Sequence, residues 1–218
     1  MEFSKNVEDG ASELVFEQVL NENIEQLCDR GTKKAESGDY LGALKDFNQA
    51  IGLDPNHAIA YYKRGACRYN IGDKQGAIKD YNQALKIKPQ FAKVYCNRSL
   101  ARYNLGDKQG ALADCNQALQ INPQEAQAYY NRGLIYRGFG DTRRAIEDLQ
   151  KAVNLFFDKE DFDSYKRSLD KIRDWQTSVE QKLTSLAQAS QRTIKFVPDL
   201  DNLTDPKLQN LLQQLDKL

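Results

Sequence analysis

The chain has 218 residues, 28% charged and 40% hydrophobic, with 31 basic residues balanced by 31 acidic ones. Such proportions fit a water-soluble protein able to bury a core, and zero net charge gives no global pull toward nucleic acid or an anionic membrane. No apolar run approaches the 18 or so residues needed to cross a bilayer. The start of the chain lacks both the basic head and the unbroken apolar stretch of a secretion signal, so a cytoplasmic protein without membrane insertion is expected.

Residues 1–23 read as a polar segment, frayed to about residue 11, then a short helix capped by Ser12 and running to about Asn21. From Ile24 to Lys159 one frame recurs four times without a break, at 24–57, 58–91, 92–125 and 126–159. The second and third windows are identical at 20 of 34 positions without a gap. A fixed period of about 34 residues marks a solenoid of repeated units. Each unit holds two helical segments split by Gly38-Asp39, Gly72-Asp73, Gly106-Asp107 or Gly140-Asp141. Glycine supplies the left-handed residue that ends the first helix, and aspartate caps the second. Proline stops the second helix at Pro55, Pro89 and Pro123, whereas the fourth repeat has Leu155-Phe156-Phe157 there. The spacing predicts that Tyr61, Gly65 and Tyr69 are buried from the first helix, and Ala77, Tyr81 and Ala84 from the second.

After the repeats the period becomes seven, with Phe162, Tyr165, Leu169, Ile172, Val179, Leu183 and Leu186 in register and only Gln176 polar among the slots. Residues 160–190 are therefore expected to form one long capping helix, about 45 Å in length. Its near half should cover the fourth repeat, with Phe162, Tyr165 and Leu169 against Leu149, Val153 and Phe156. Residues 191–218 read as an extended linker, Thr193 to Leu203, and a final amphipathic helix with Leu208, Leu211, Leu212, Leu215 and Leu218. The leucines of this end fold back on the long helix or meet a second chain, which leaves a homodimer through the C-terminal helices open.

Two residue types recur in register. Arg30, Arg64, Arg98 and Arg132 are each followed, at one constant offset, by Asp46, Asp80, Asp114 and Asp148. A partly buried guanidinium needs neutralising and its fork matches a carboxylate, so four structural ion pairs are expected. The alternative is an arginine row that binds phosphate or acidic peptide. The four cysteines, Cys28, Cys67, Cys96 and Cys115, are too far apart in sequence for a zinc site or a redox motif. Cys67 and Cys115 fall at core positions, and Cys28 and Cys96 share a face two repeats apart, too distant to bridge.

On these positions the chain resembles the tetratricopeptide repeat family. Tyr61, Gly65, Ala77, Tyr81, Ala84 and Pro89 fit its pattern in the second repeat; Tyr95, Ala111, Ala118 and Pro123 fit in the third, where Ser99 and Cys115 depart from it. Tyr129, Gly133, Tyr136, Ala145 and Ala152 fit in the fourth, and Leu27, Gly31, Ala43, Phe47, Ala50 and Pro55, more weakly, in the first. The resemblance implies an all-α, right-handed superhelix of helix-turn-helix repeats, whose first helices line a concave groove for an extended peptide segment of another protein. Mapped here, the groove consists of Tyr62, Lys63, Tyr69, Asn70, Lys93, Cys96, Asn97, Tyr103, Asn104, Tyr130, Asn131 and Arg137. Asn97 and Asn131 share one register position, so their amides should form a row about 10 Å apart. The family's carboxylate clamp is absent: one register retains only Lys93 and the next only Asn97. The groove looks more like the asparagine-lined one of O-linked N-acetylglucosamine transferases, with two matching asparagines.

Nothing points to an enzyme. His57, the single histidine, lies in a turn without an orienting base. The Gly106 to Gly110 turn lacks phosphate-loop spacing. Lysines and tyrosines interleave on the groove face as in single-strand binders, but zero net charge and an amide-rich lining argue against nucleic acid. The chain thus reads as a non-enzymatic adaptor without metal or cofactor, or alternatively as a scaffold that self-assembles through its C-terminal heptads.

Overall fold

The structure is a computed structural model that describes residues 5–195, with side chains from residue 18 onward apart from several in the last helix. Among the described residues every regular element is a helix and there is no strand. The helices are α1 (Lys5–Glu36), α2 (Tyr40–Leu53), α3 (Ala58–Asn70), α4 (Lys74–Ile87), α5 (Ala92–Asn104), α6 (Lys108–Ile121), α7 (Ala126–Gly138), α8 (Thr142–Asp158) and α9 (Phe162–Lys195). Two compact units meet in sequence at Ile172 and Arg173, and the repeats lie within the first.

The turns inside the repeats are alike because the same two residues make them. Gly38, Gly72, Gly106 and Gly140 all sit at φ between 86° and 92°, a region closed to most side chains. The next residue caps the following helix: Asp39, Asp73 and Asp107 each accept from the amide of a glycine three residues on, at 2.8 Å. Asp141 does the same for Arg144 at 2.9 Å. Between the first two repeats the cap is His57, whose Nδ1 accepts from the Ala60 amide at 3.0 Å; the turn residue thus has a structural task that its sequence setting left unread.

Packing repeats with the same period. Ala43, Ala77, Ala111 and Ala145, and again Ala50, Ala84, Ala118 and Ala152, are wholly inaccessible. Alanine there lets each pair of helices close, and a larger residue between the two fills the repeat: Phe47, Tyr81, Cys115 or Leu149. That residue and the one facing it on the first helix are matched in size. A Cβ on Gly65 would come within 2.7 Å of Tyr81, and one on Gly31 within 2.9 Å of Phe47. The third repeat has Ser99 at this position, and there the facing residue shrinks to Cys115. Tyr61 and Tyr69, expected as core, are half-buried.

Two boundaries differ from those read off the sequence. The helix expected from Ser12 to Asn21 is no separate element, because α1 continues from Lys5 through the first repeat. No proline occurs in α1, and no glycine lies between residues 11 and 30 to stop it. At the other end α9 reaches Lys195, so Thr193 to Lys195 are helical rather than extended. Residues 196–203 of that linker and the leucine helix from Leu208 lie outside the described residues. In line with the proline missing from the fourth repeat, α8 has 17 residues where α2, α4 and α6 have 14.

The first turns of α9 begin at Asp161, which accepts from the Ser164 amide at 3.1 Å and is held below the usual carboxylate range by that bond. Tyr165 packs on Ala126, Ala152 and Phe156, and Ser164, Ser168 and Ile172 are buried. Phe162 does not enter this core. It is 58% exposed and meets Phe157 edge-on at 6.4 Å, because it precedes the first full turn. In the second unit, taken by itself, the helix continues with Leu186 55% exposed.

Candidate functional site

Each repeat presents an outer seam and an inner face. The seam is ionic. Arg64 forks onto Asp80 through Nε at 2.9 Å and Nη2 at 2.7 Å. Arg98 does so on Asp114 at 2.9 and 2.6 Å, and Arg132 on Asp148 at 2.7 and 2.9 Å. The third nitrogen of each guanidinium crosses to the preceding repeat: Nη1 of Arg64 donates to Asn48, that of Arg98 to Asn82 and that of Arg132 to Asn116, at 2.7 to 2.9 Å. Stacking on Tyr61, Tyr95 and Tyr129 completes the setting. A second cation four residues on reaches the same aspartate: Arg68 to Asp80 and Arg102 to Asp114, both at 2.9 Å, and Lys34 to Asp46 at 2.8 Å. Their guanidinium donors committed, these arginines offer no open row for a phosphate. The asparagines and second cations recur in the sequence with the repeat period; that periodicity was the available signal for them.

Arg30 is the exception among the four. It touches Asp46 through Nη2 alone at 2.7 Å, and its side chain is 56% exposed against 14% for Arg64. The bond to Arg30 still holds the Asp46 carboxyl below its ordinary range, with Lys34 adding to the effect. Asp148 in turn pushes the Arg132 guanidinium upward.

The inner face comes from the odd-numbered helices, since α1, α3, α5 and α7 meet one another in series. Residues one repeat and one position apart face each other across consecutive helices. Asn97 Nδ2 points at the Tyr62 hydroxyl at 3.5 Å, and Asn104 Nδ2 donates to the Tyr69 hydroxyl at 2.5 Å. Burial pushes both phenols above their usual range, so they stay protonated. Of the expected groove residues, Asn70, Lys93 and Asn104 are exposed. Tyr62, Lys63, Tyr69, Asn97, Tyr103, Tyr130 and Arg137 are half-buried.

Two expected groove residues are not on the surface. Asn131 is only 2% exposed. Its Nδ2 donates to the Cys96 carbonyl at 3.0 Å and to Ser99 Oγ at 3.3 Å, while its oxygen accepts from Gln127 at 2.8 Å. The serine that replaces glycine in the third repeat supplies one of these acceptors, which draws the amide inward. An open row of Asn97 and Asn131 amides therefore does not form. Cys96, 2% exposed, is core as well. All four cysteines are free and buried. Burial raises the Cys67 thiol to about 11 and the Cys115 thiol to about 12, which leaves them inert as nucleophiles.

Among the described residues no group of histidine, cysteine and carboxylate side chains is placed to hold a metal ion, and no helix is long and apolar enough to cross a membrane.

Comparison with known proteins agrees with this geometry. Tetratricopeptide repeat profiles match residues 28–90, 92–125 and 126–159, together more than half of the chain. Mouse (Mus musculus) tetratricopeptide repeat protein 36 is 39% identical over 64 residues, which cover 29% of this chain and 34% of the relative's length. The match thus spans about a third of that relative. Among solved structures, that of MamA protein superposes with a TM-score of 0.58 at 24% identity, covering 84% of this chain and all of that one. The first tetratricopeptide domain of Spaghetti (RPAP3), bound to the HSP90 peptide SRMEEVD, superposes with a TM-score of 0.53 at 21% identity, over 55% of this chain and 94% of its own. At these identities the structures speak for the fold, and the repeat profiles for the lineage. The chain belongs to the tetratricopeptide repeat family, built as a protein–protein interaction module.

Proposed function

We propose that the protein is a non-enzymatic adaptor whose inner helix face binds an extended segment of another protein. The observation that carries this is the polar and aromatic surface left over once the repeats have packed: Lys93, Asn70 and Asn104 exposed beside half-buried Tyr62, Tyr69, Tyr103 and Tyr130. Side-chain amides hold a peptide backbone without reading its sequence, and the tyrosines add apolar contact with polar tips. Lys63, Lys93 and Arg137 favour acidic side chains. A related fold holds the peptide SRMEEVD, but the clamp residues for such a carboxylate are not at matching positions here, so a different peptide is expected. The test is selection of displayed twelve-residue peptides on the intact protein, followed by titration of synthetic copies. Lys93→Glu with Asn104→Ala should weaken binding at least tenfold and reduce its salt dependence. Equal affinity for parent and variant removes the groove from the function.

A second reading, a scaffold that assembles through α9, draws support from Leu186, 55% exposed on a helix whose sequence keeps a heptad period. Light scattering of the intact protein and of a chain ending at Ser190 decides it. A dimer that becomes monomeric on truncation supports assembly through the terminal leucines, and a monomer in both cases ends this reading.

A further inference from the structure

The inner face keeps one frame while its facing pairs change from junction to junction. Across α3 and α5 the facing pairs are Tyr62 with Asn97 and Tyr69 with Asn104. Across α5 and α7 the second of these positions pairs Tyr103 with Gly138, whose missing side chain leaves room for the phenol 3.0 Å from where a Cβ would stand. Across α1 and α3 the same two positions hold Cys28 with Lys63 and Ala35 with Asn70. Neither tyrosine is present. Where the second of them would stand, at Ala35, there is a pocket of about 280 Å³, bounded by Ala35, Tyr40, Phe47, Tyr62, Ala66, Cys67 and Asn70. The Asn70 amide, which corresponds to the donor that Asn104 turns on Tyr69, has no hydrogen-bond partner among the described residues and is exposed.

We propose that this pocket takes a tyrosine side chain from the bound peptide, with the ring in the place that Tyr69 fills one repeat further on and the phenol oxygen accepting from Asn70 Nδ2. The inference rests on the groove reading and adds its side-chain specificity. The volume suits one side chain; pockets for drug-sized ligands run from roughly 300 to 1,000 Å³. The walls are apolar and aromatic apart from Asn70, Thr32 and one charge of each sign, Lys63 and Glu36. A neutral phenol meets that mixture without an unpaired charge, whereas a phosphorylated tyrosine would set its two negative charges beside Glu36.

The experiment uses the ¹⁵N-labelled intact protein titrated with N-acetyl-tyrosinamide, N-acetyl-phenylalaninamide, N-acetyl-leucinamide and the phosphorylated tyrosine derivative. The tyrosine probe should shift Ala35, Ala66 and the Asn70 side-chain amide, with phenylalanine several-fold weaker and the other two weaker still. Ala35→Tyr supplies the missing ring from within; it should melt at or above the parent temperature and abolish these shifts. Should that variant fail to fold, Asn70→Leu serves, since loss of the donor should reverse the preference to phenylalanine. Equal response to leucine, shifts away from α1 and α3, or tyrosine preference that survives Asn70→Leu each overturn the proposal. The groove reading fails separately. If selected peptides bind but carry no tyrosine and the probes leave the pocket unshifted, the pocket falls and the groove stands. If the tyrosine probe binds as described while no peptide is selected, the groove falls and the pocket remains.

Discussion

The junction of α1 with α3 and that of α3 with α5 share one frame and are held with different strength. At the second, Tyr62 and Tyr69 reach toward Asn97 and Asn104 inside, and Arg98 ties Asp114 to Asn82 of the preceding repeat outside. At the first, Ala35 leaves a pocket on the inside. Outside, the two junctions are alike, since Arg64 ties Asp80 to Asn48 as Arg98 ties Asp114 to Asn82. The outer difference lies ahead of the first junction, where Arg30 has one contact to its aspartate and, with Leu14 one period before Asn48, no partner asparagine among the described residues. A repeat is therefore tied to its predecessor as well as held by its own residues, and Arg30 of the first one has no such asparagine among the described residues.

The largest test of this difference is arginine removal. Arg98→Ala leaves Asp114, whose side chain is 4% exposed, with Arg102 alone, and should cost about 3 kcal/mol. Arg30→Ala removes a mostly exposed group, screened by water, and should cost only a small fraction of that. Urea unfolding of both variants measures the ratio; equal losses would erase the distinction between end and middle.

Next in size is the glycine and aromatic pair. Gly65→Ala places a methyl 2.7 Å from the Tyr81 ring and should destabilise by about 1 to 3 kcal/mol. Gly65→Ser combined with Tyr81→Cys copies the third repeat, so the double variant should lose less than the two single losses added together. A strictly additive result in thermal melts would show that Ser99 and Cys115 are not matched.

The smallest effect is acid-dependent. Asp46 is held below its ordinary pKa mainly by Arg30, so its contribution is fully present above the unfolded value near 4 and disappears as the pH falls through the folded one. The melting temperatures of the parent and of Arg30→Ala should therefore converge as the pH drops below about 4. A gap that stays constant down to pH 2.5 would assign the role of Arg30 to packing.

Much of this was legible in the residues. Helical period, glycine-aspartate turns and the constant offset between arginine and aspartate are local or strictly repeated signals, and physical rules convert them directly into helices, caps and ion pairs. Asn131 was not legible as core. Register places it on the inner face, and the Cys96 carbonyl together with the third repeat's serine, both on α5, turns its amide inward. The Asn48, Asn82 and Asn116 links were present as a period but join different repeats, so spacing within one unit does not reveal them. The merged α1 reflects the absence of any stop residue, a negative signal easily outweighed by a single capping serine.

The guanidinium that reaches back to an asparagine has a consequence for how the chain assembles as it leaves the ribosome. Asn48 is synthesised before Arg64, Asn82 before Arg98, and Asn116 before Arg132. Each finished repeat thus exposes an acceptor that waits for the donor of the next, while no later repeat is needed to neutralise its aspartate. Growth can proceed one unit at a time from the N-terminus, each arrival docking on a surface already formed. Loss of structure under stress should begin at the newest end or the oldest one, and reach the middle last.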